Sequence, residues 1–278
     1  MASGTPPSAI SRSIDVAYAS NRVALVGFVI ALLVLGGKAL LIDELSVLGV
    51  IFASVAVFLG WAVGRELDPD TPNVANLAMA LALVAAVFFT PSVLIAGIAL
   101  IGIRLVAGTV GAPITILDLF LLVFVGAASG AVSVLWIVGI TIVIWLWAAP
   151  EVGDRRTWGL VSFLVGVAVG LGFAYYMWSK GTLREVDITA GAYVLAGLAG
   201  GAMLVAARPI AVISQTDVGT GAVDSVRVRF ARLAAGSFCM WAAVIGGVEG
   251  FWAMGPVLAG LVAAAIYRVF VHPAATPG

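Results

Sequence analysis

The sequence predicts an all-α polytopic integral membrane protein, a bundle of about ten transmembrane helices, and three observations point there. Hydrophobic residues make up 63% of the 278-residue chain and charged residues only 10%. A soluble domain carries about 25% charged residues, so this chain lacks the polar side chains to cover a water-facing surface. Apolar runs then follow one another from residue 22 to residue 270, many near the length that crosses a bilayer, about 20 residues with a range of about 17 to 25. Finally, the basic residues collect at alternate ends of those runs, the pattern of the positive-inside rule.

Taken in order, the chain opens on a polar leader, residues 1–21, with Pro6 and Pro7 and without the charged, apolar and small-residue succession of a signal peptide. The leader reads as a disordered or interfacial segment. Ten spans follow, over residues 22–41, 46–64, 74–89, 92–107, 113–128, 131–148, 158–178, 188–207, 231–247 and 251–270. Proline punctuates them: Thr90–Pro91 separates the third from the fourth, Pro113 opens the fifth and Pro150 closes the sixth. Proline suits a first helical turn, where its missing N–H has no helical partner. The hairpins at 89–92 and 128–131 are tight, so eight spans is the alternative count. Residues 22–270 form one membrane domain, with halves at 22–128 and 131–270, and 271–278 is a short tail.

Alternation through ten spans puts eleven of the 14 basic residues on the side of the N-terminus and leaves Lys38, Lys180 and Arg184 on the other. That sign places both termini in the cytoplasm, and the expected location is a cell membrane of prokaryotic type. The bilayer is the one partner the composition demands. A net charge of zero gives no electrostatic reason for nucleic acid.

The charged stretch GRELDPDTPN, with Arg65, Glu66, Asp68 and Asp70, raises the question of a site. Thr71–Pro72 has the form of an N-cap and first helical residue, and acidic groups before it suit a helix N-terminus. Arg65 would anchor the end of the second span. The stretch therefore reads as a turn and an anchor. Arg65–Glu66–Leu67–Asp68 has an echo in Arg184–Glu185–Val186–Asp187, at an equivalent place in the second half and on the opposite face. A five-plus-five inverted repeat would produce such an echo.

Ionisable residues near spans are costly in lipid and so are pathway candidates. Asp118 lies inside the fifth span and Arg104 near the end of the fourth, at a depth where the two could pair; the alternative is a structural ion pair or a snorkelling arginine. Glu249, in Gly–Gly–Val–Glu–Gly between the last two spans, is the third candidate, and Lys38 reads as a boundary residue. The alternating segment Ser225–Phe230 is expected to lie along the interface, where its arginines would meet anionic headgroups. Gly60/Gly64, Gly197/Gly201 and Gly246/Gly250 have the spacing that lets helices approach closely in lipid.

Several chemistries are excluded. Cys239 is the only cysteine and His272 the only histidine, so no intrachain disulfide, cysteine metal cluster or histidine-based hydrolase can be built. Residues 125–132, VGAASGAV, are similar to the serine loop of intramembrane rhomboid proteases, but Ala127 stands where that loop needs glycine. No Walker lysine, HExxH or aspartate-rich pair is present. No catalytic residue, cofactor or metal is expected. The leading functional expectation is a small-solute transporter or permease. The alternatives are a lipid-modifying enzyme using carboxylates such as Asp68, Asp70 and Asp154, or a non-catalytic membrane subunit. In span count, length and inferred termini, the chain resembles the drug/metabolite transporter superfamily. That resemblance is topological, implies ten spans as five plus five inverted helices, and carries over no residues.

Overall fold

The computed structural model describes residues 10, 14–42, 46–112, 190–217 and 221–271, with positions 115, 117, 118, 120, 121, 124, 171, 175 and 178–180 between them. Seven helices are found among the described residues: α1 (Ala19–Ile42), α2 (Val47–Leu67), α3 (Pro72–Phe88), α4 (Val93–Ala107), α5 (Ala190–Ala206), α6 (Ser225–Ala253) and α7 (Gly255–Phe270). They correspond to the first four and last three expected spans. The fifth, sixth and seventh spans, and the Arg184–Asp187 echo, fall wholly or mainly outside the described residues.

Local sequence sets the helix ends. Ser46 caps α2 by accepting from the Gly49 N–H at 3.1 Å, and α3 starts at Pro72 after Thr71, as the sequence predicts. Ser92 caps α4, while Gly108 ends it in the left-handed conformation at φ 64°, which costs glycine nothing. The largest departure is α6. It begins at Ser225 behind an Asp224 cap whose carboxylate accepts from Val226 N–H at 2.8 Å. The alternating segment 225–230 is thus the first turn and a half of a helix rather than an interfacial ribbon. Val228 at its centre is fully buried.

α6 also runs past its expected end, through a break at Gly247 (φ 57°, ψ −140°). That conformation belongs to glycine and is strained for any side chain. A short helical piece follows and turns at Met254 into α7, whose Pro256 sits in its first turn.

α1, α2 and α6 are each long and apolar enough to cross a membrane, at 24, 21 and 29 residues. The other four are shorter apolar helices of 15 to 17 residues. α2 lies at the centre, against α1, α3, α4, α6 and α7, and α5 joins through α6 and α7. Close approach of α2 to α3 depends on Gly64: a Cβ there would lie 2.8 Å from the Ala75 Cα and 2.9 Å from the Ala78 Cβ. Without a hydrophobic drive between helices in lipid, such small-residue contact supplies the packing. Hydrogen bonds place the ends of α2, α4, α5 and α7 at the same side of the bundle, where α3 and α6 begin.

Candidate functional site

That shared side holds a network of buried charge. Glu66, in the last turn of α2, is fully buried; Asp68, the C-cap of the same helix, is 3% exposed, Arg232 1% and Arg268 3%. The Arg104 Nε donates to Glu66 Oε1 at 2.8 Å, and the Thr109 hydroxyl donates to Glu66 Oε2. Arg268, in the last turn of α7, donates from Nη2 to Asp68 Oδ2 at 2.7 Å. Arg232 Nη2 stands 4.0 Å from the same oxygen. The two carboxylates of α2 therefore tie it to α4, α6 and α7.

The arginines of α6 do a second job. A helix leaves its last four carbonyls without helical partners, and four helices end here together. Arg227 donates to the Val106 and Leu105 carbonyls of α4 at 2.9 and 2.7 Å. Arg229 donates to the Ala207 carbonyl just past α5 at 3.0 Å, and Arg232 Nε to the Leu67 carbonyl of α2 at 2.7 Å. One helix start thus caps three helix ends with charge of the sign the helix dipole favours there. Gly108 makes room for this, because a Cβ on it would lie 2.6 Å from the Arg227 guanidinium.

A connecting strap, described over residues 207–217 and 221–224, is tied to the same end. It carries an antiparallel bridge between Gln215 and Ala222 and is held by Asp70, which accepts from Ile213 N–H at 2.9 Å and Ser214 N–H at 2.8 Å. Partial burial pushes the Asp70 carboxyl up. The Ser214 side chain, the two amides and the Arg268 charge together outweigh it and hold the carboxyl below its ordinary value of 3.8. The leader takes part as well: Ile10 is buried and its carbonyl accepts from Arg104 Nη1 at 2.9 Å. Asn21 Oδ1 accepts from Arg65 at 2.9 Å, and the Arg65 guanidinium lies 5.6 Å from the Trp61 ring centroid.

Of the residues singled out in the sequence, Arg104 is in this network and its carboxylate partner is Glu66. The expected Arg104–Asp118 pair is not formed. Asp118 instead accepts from the Thr115 N–H at 2.7 Å and its hydroxyl at 2.9 Å, while the Thr115 hydroxyl accepts from Asp118 N–H at 3.3 Å. Those reciprocal bonds are a capping box. Glu249 is exposed beyond the Gly247 break, past the roughly 28 Å of unbroken helix from Arg227 to Gly246 at 1.5 Å per residue. Arg104, near the Arg227 end of α6, and Glu249, beyond its break, do not converge. Among the described residues at Glu249's side of the bundle, Lys38 donates to the Val87 carbonyl at 2.7 Å, Ser92 N–H donates to the Ala253 carbonyl, and Phe89 stacks on Trp252 at 3.9 Å.

Glu66 is the functional candidate the sequence reading missed, and Asp68 was named there only for the enzyme alternative. Placed in a turn, they looked solvated. The available signal was five arginines, at 104, 227, 229, 232 and 268, assigned to the same side as carboxylates at the very end of an apolar helix. As chemical groups both are committed: an ion-paired carboxylate is a poor general base, and Asp70 is occupied by two amides. Among the described residues, no group of three or more histidine, cysteine, aspartate or glutamate side chains is placed to hold a metal ion.

The fold and this buried polar end define an α-helical integral membrane protein. Compared with family models, curated proteins and solved structures, the chain finds no match.

Proposed function

We propose that the chain moves a small solute across a membrane by alternating access, with the ion network closing one end of the pathway. The observation that supports this is the concentration of buried ion pairs and carbonyl caps at one end of the bundle. They link α2, α4, α5, α6 and α7. At the opposite end, among the described residues, Phe89 stacks on Trp252 and α6 is interrupted at Gly247. Ion pairs at helix ends can be exchanged as units when helices tilt, which gives a bundle two discrete states rather than a continuum. Interrupted helices are a recurrent part of transporters. On this reading the ion-paired end faces the cytoplasm, in keeping with its arginine content.

The test is flux. Purified protein in liposomes on a solid-supported membrane is offered amino acids, carboxylates, sugars and nucleosides in turn. Transport predicts a saturable current or uptake for one class, reduced at least about tenfold in Glu66→Gln, a loss of about 1.4 kcal/mol. Uptake no greater than in protein-free liposomes across all classes would contradict it.

A further inference from the structure

Two arginines at the closed end have more donors than the protein gives acceptors. Arg268 meets Asp68 through Nη2 alone, and the neighbouring Nε on the same guanidinium edge is buried with no hydrogen-bond acceptor. Arg232 uses Nε on the Leu67 carbonyl, and its Nη2 is likewise buried without an acceptor. A planar Nε/Nη2 edge matches the two oxygens of a carboxylate or phosphate, and here each edge is half used. Charge agrees with geometry. Asp68 is a single carboxylate between two guanidinium groups, all three at most 3% exposed. Asp70 acts on both arginines through space, yet its oxygens belong to Ile213 and Ser214. Buried donors left without partners are rare in proteins and ask for an explanation.

We propose that the facing edges of Arg232 and Arg268 are a binding site for an oxyanion, a carboxylate or a phosphate group, and that Asp68 is the internal stand-in that holds the site while this end is closed. The proposal rests on the transport reading for the opening step and extends it by naming the charge of the solute. When the Asp70 tie to the strap releases and α7 parts from α2, Arg268 exchanges Asp68 for the incoming oxyanion. Two oxygens of that anion take Nε and Nη2 together; a third oxygen of a phosphate, or one of the two of a carboxylate shared between the arginines, reaches Arg232 Nη2. Leu67 and Asp68 lie next to each other on α2, so loss of one arginine contact loosens the other.

The same chemistry can come from a soluble anion or from a lipid headgroup, and binding separates the two. Full-length protein in nanodiscs of phosphatidylcholine is titrated with inorganic phosphate, with chloride at equal ionic strength as control, and thermal unfolding is followed. A second preparation replaces part of the phosphatidylcholine with phosphatidic acid and receives no phosphate. The proposal expects a saturable rise in Tm with phosphate or with phosphatidic acid, whichever source the site accepts. Arg268→Lys, which keeps the charge and loses the two-donor edge, should weaken that response about tenfold or more. Asp68→Asn should bind the same probe about tenfold tighter or more, because its internal competitor is gone.

No rise with either probe, or an equal rise in Arg268→Lys and in the parent, overturns the site. Failure here with flux of an uncharged solute leaves the transport reading standing. Anion binding without any flux does the reverse.

Discussion

At the residue scale, Asp68 carries the most consequence. Its replacement by Asn leaves the Arg268 and Arg232 guanidinium groups buried with no counter-charge in contact, and breaking a buried pair from one side costs about 3–5 kcal/mol. We expect Asp68→Asn to lower stability by that amount in denaturant titrations. Arg229→Gln, which removes a bond from an exposed arginine to the Ala207 carbonyl, should cost about 1 kcal/mol. Comparable losses in the two would mean that Asp68 is not the hub. Gly247 makes a second prediction. At φ 57° and ψ −140°, an added Cβ costs about 1–3 kcal/mol, so Gly247→Ala should be destabilising by that amount in the same titration.

At the scale of elements, the helix pattern was readable because apolar length and proline or small-polar punctuation act locally. The ends of α2, α3 and α4 lie within three residues of the expected bounds. The start of α6 was not readable. Ser225–Phe230 alternates like a strand in sequence, but tertiary contact decides it, since Arg227 and Arg229 reach the ends of α4 and α5 only from a helix. The pairing of Glu66 with Arg104 was equally hidden, because it joins residues 38 positions apart and nothing in either helix names the other. Asp118 looked like the partner of Arg104, whereas its Oδ2 is taken by Thr115, three residues earlier, in a capping box. Packing of α2 on α3 yields a test at this scale. A Cβ at Gly64 meets backbone at 2.8 Å, while one at Gly37 has no neighbour within 4 Å among the described residues. Gly64→Val should therefore lower Tm clearly more than Gly37→Val; equal effects would show that the α2–α3 contact is looser than described.

The strap adds a pH test. Asp70 has a lowered pKa in the folded protein, so its contribution is full above the ordinary value of 3.8 and is lost as pH falls through the lowered one. Hydrogen exchange at the Ile213 and Ser214 amides, corrected for the intrinsic rate, should accelerate below that point in the parent. In Asp70→Asn, exchange should be faster at neutral pH and show no such step; protection that is independent of both would exclude Asp70 as the tie.

For the whole molecule, the claim is that one end of a helical bundle is held shut by ion pairs that can be exchanged. Among the described residues, the buried ion pairs and helix caps that gather at one side fit that claim, and the glycine break in α6 lies toward the other. The decisive measurement is pulsed electron–electron distance in nanodiscs, in a Cys239→Ala background. Spin labels at Asn73 and Val226 report the ion-paired end, and labels at Phe88 and Val248 report the opposite one; all four positions are exposed. Alternating access predicts that Asp68→Asn adds a longer distance at the first pair while the second pair shortens. A single, unchanged distribution at both ends in parent and variant would contradict it, and the ion network would then be a permanent clasp.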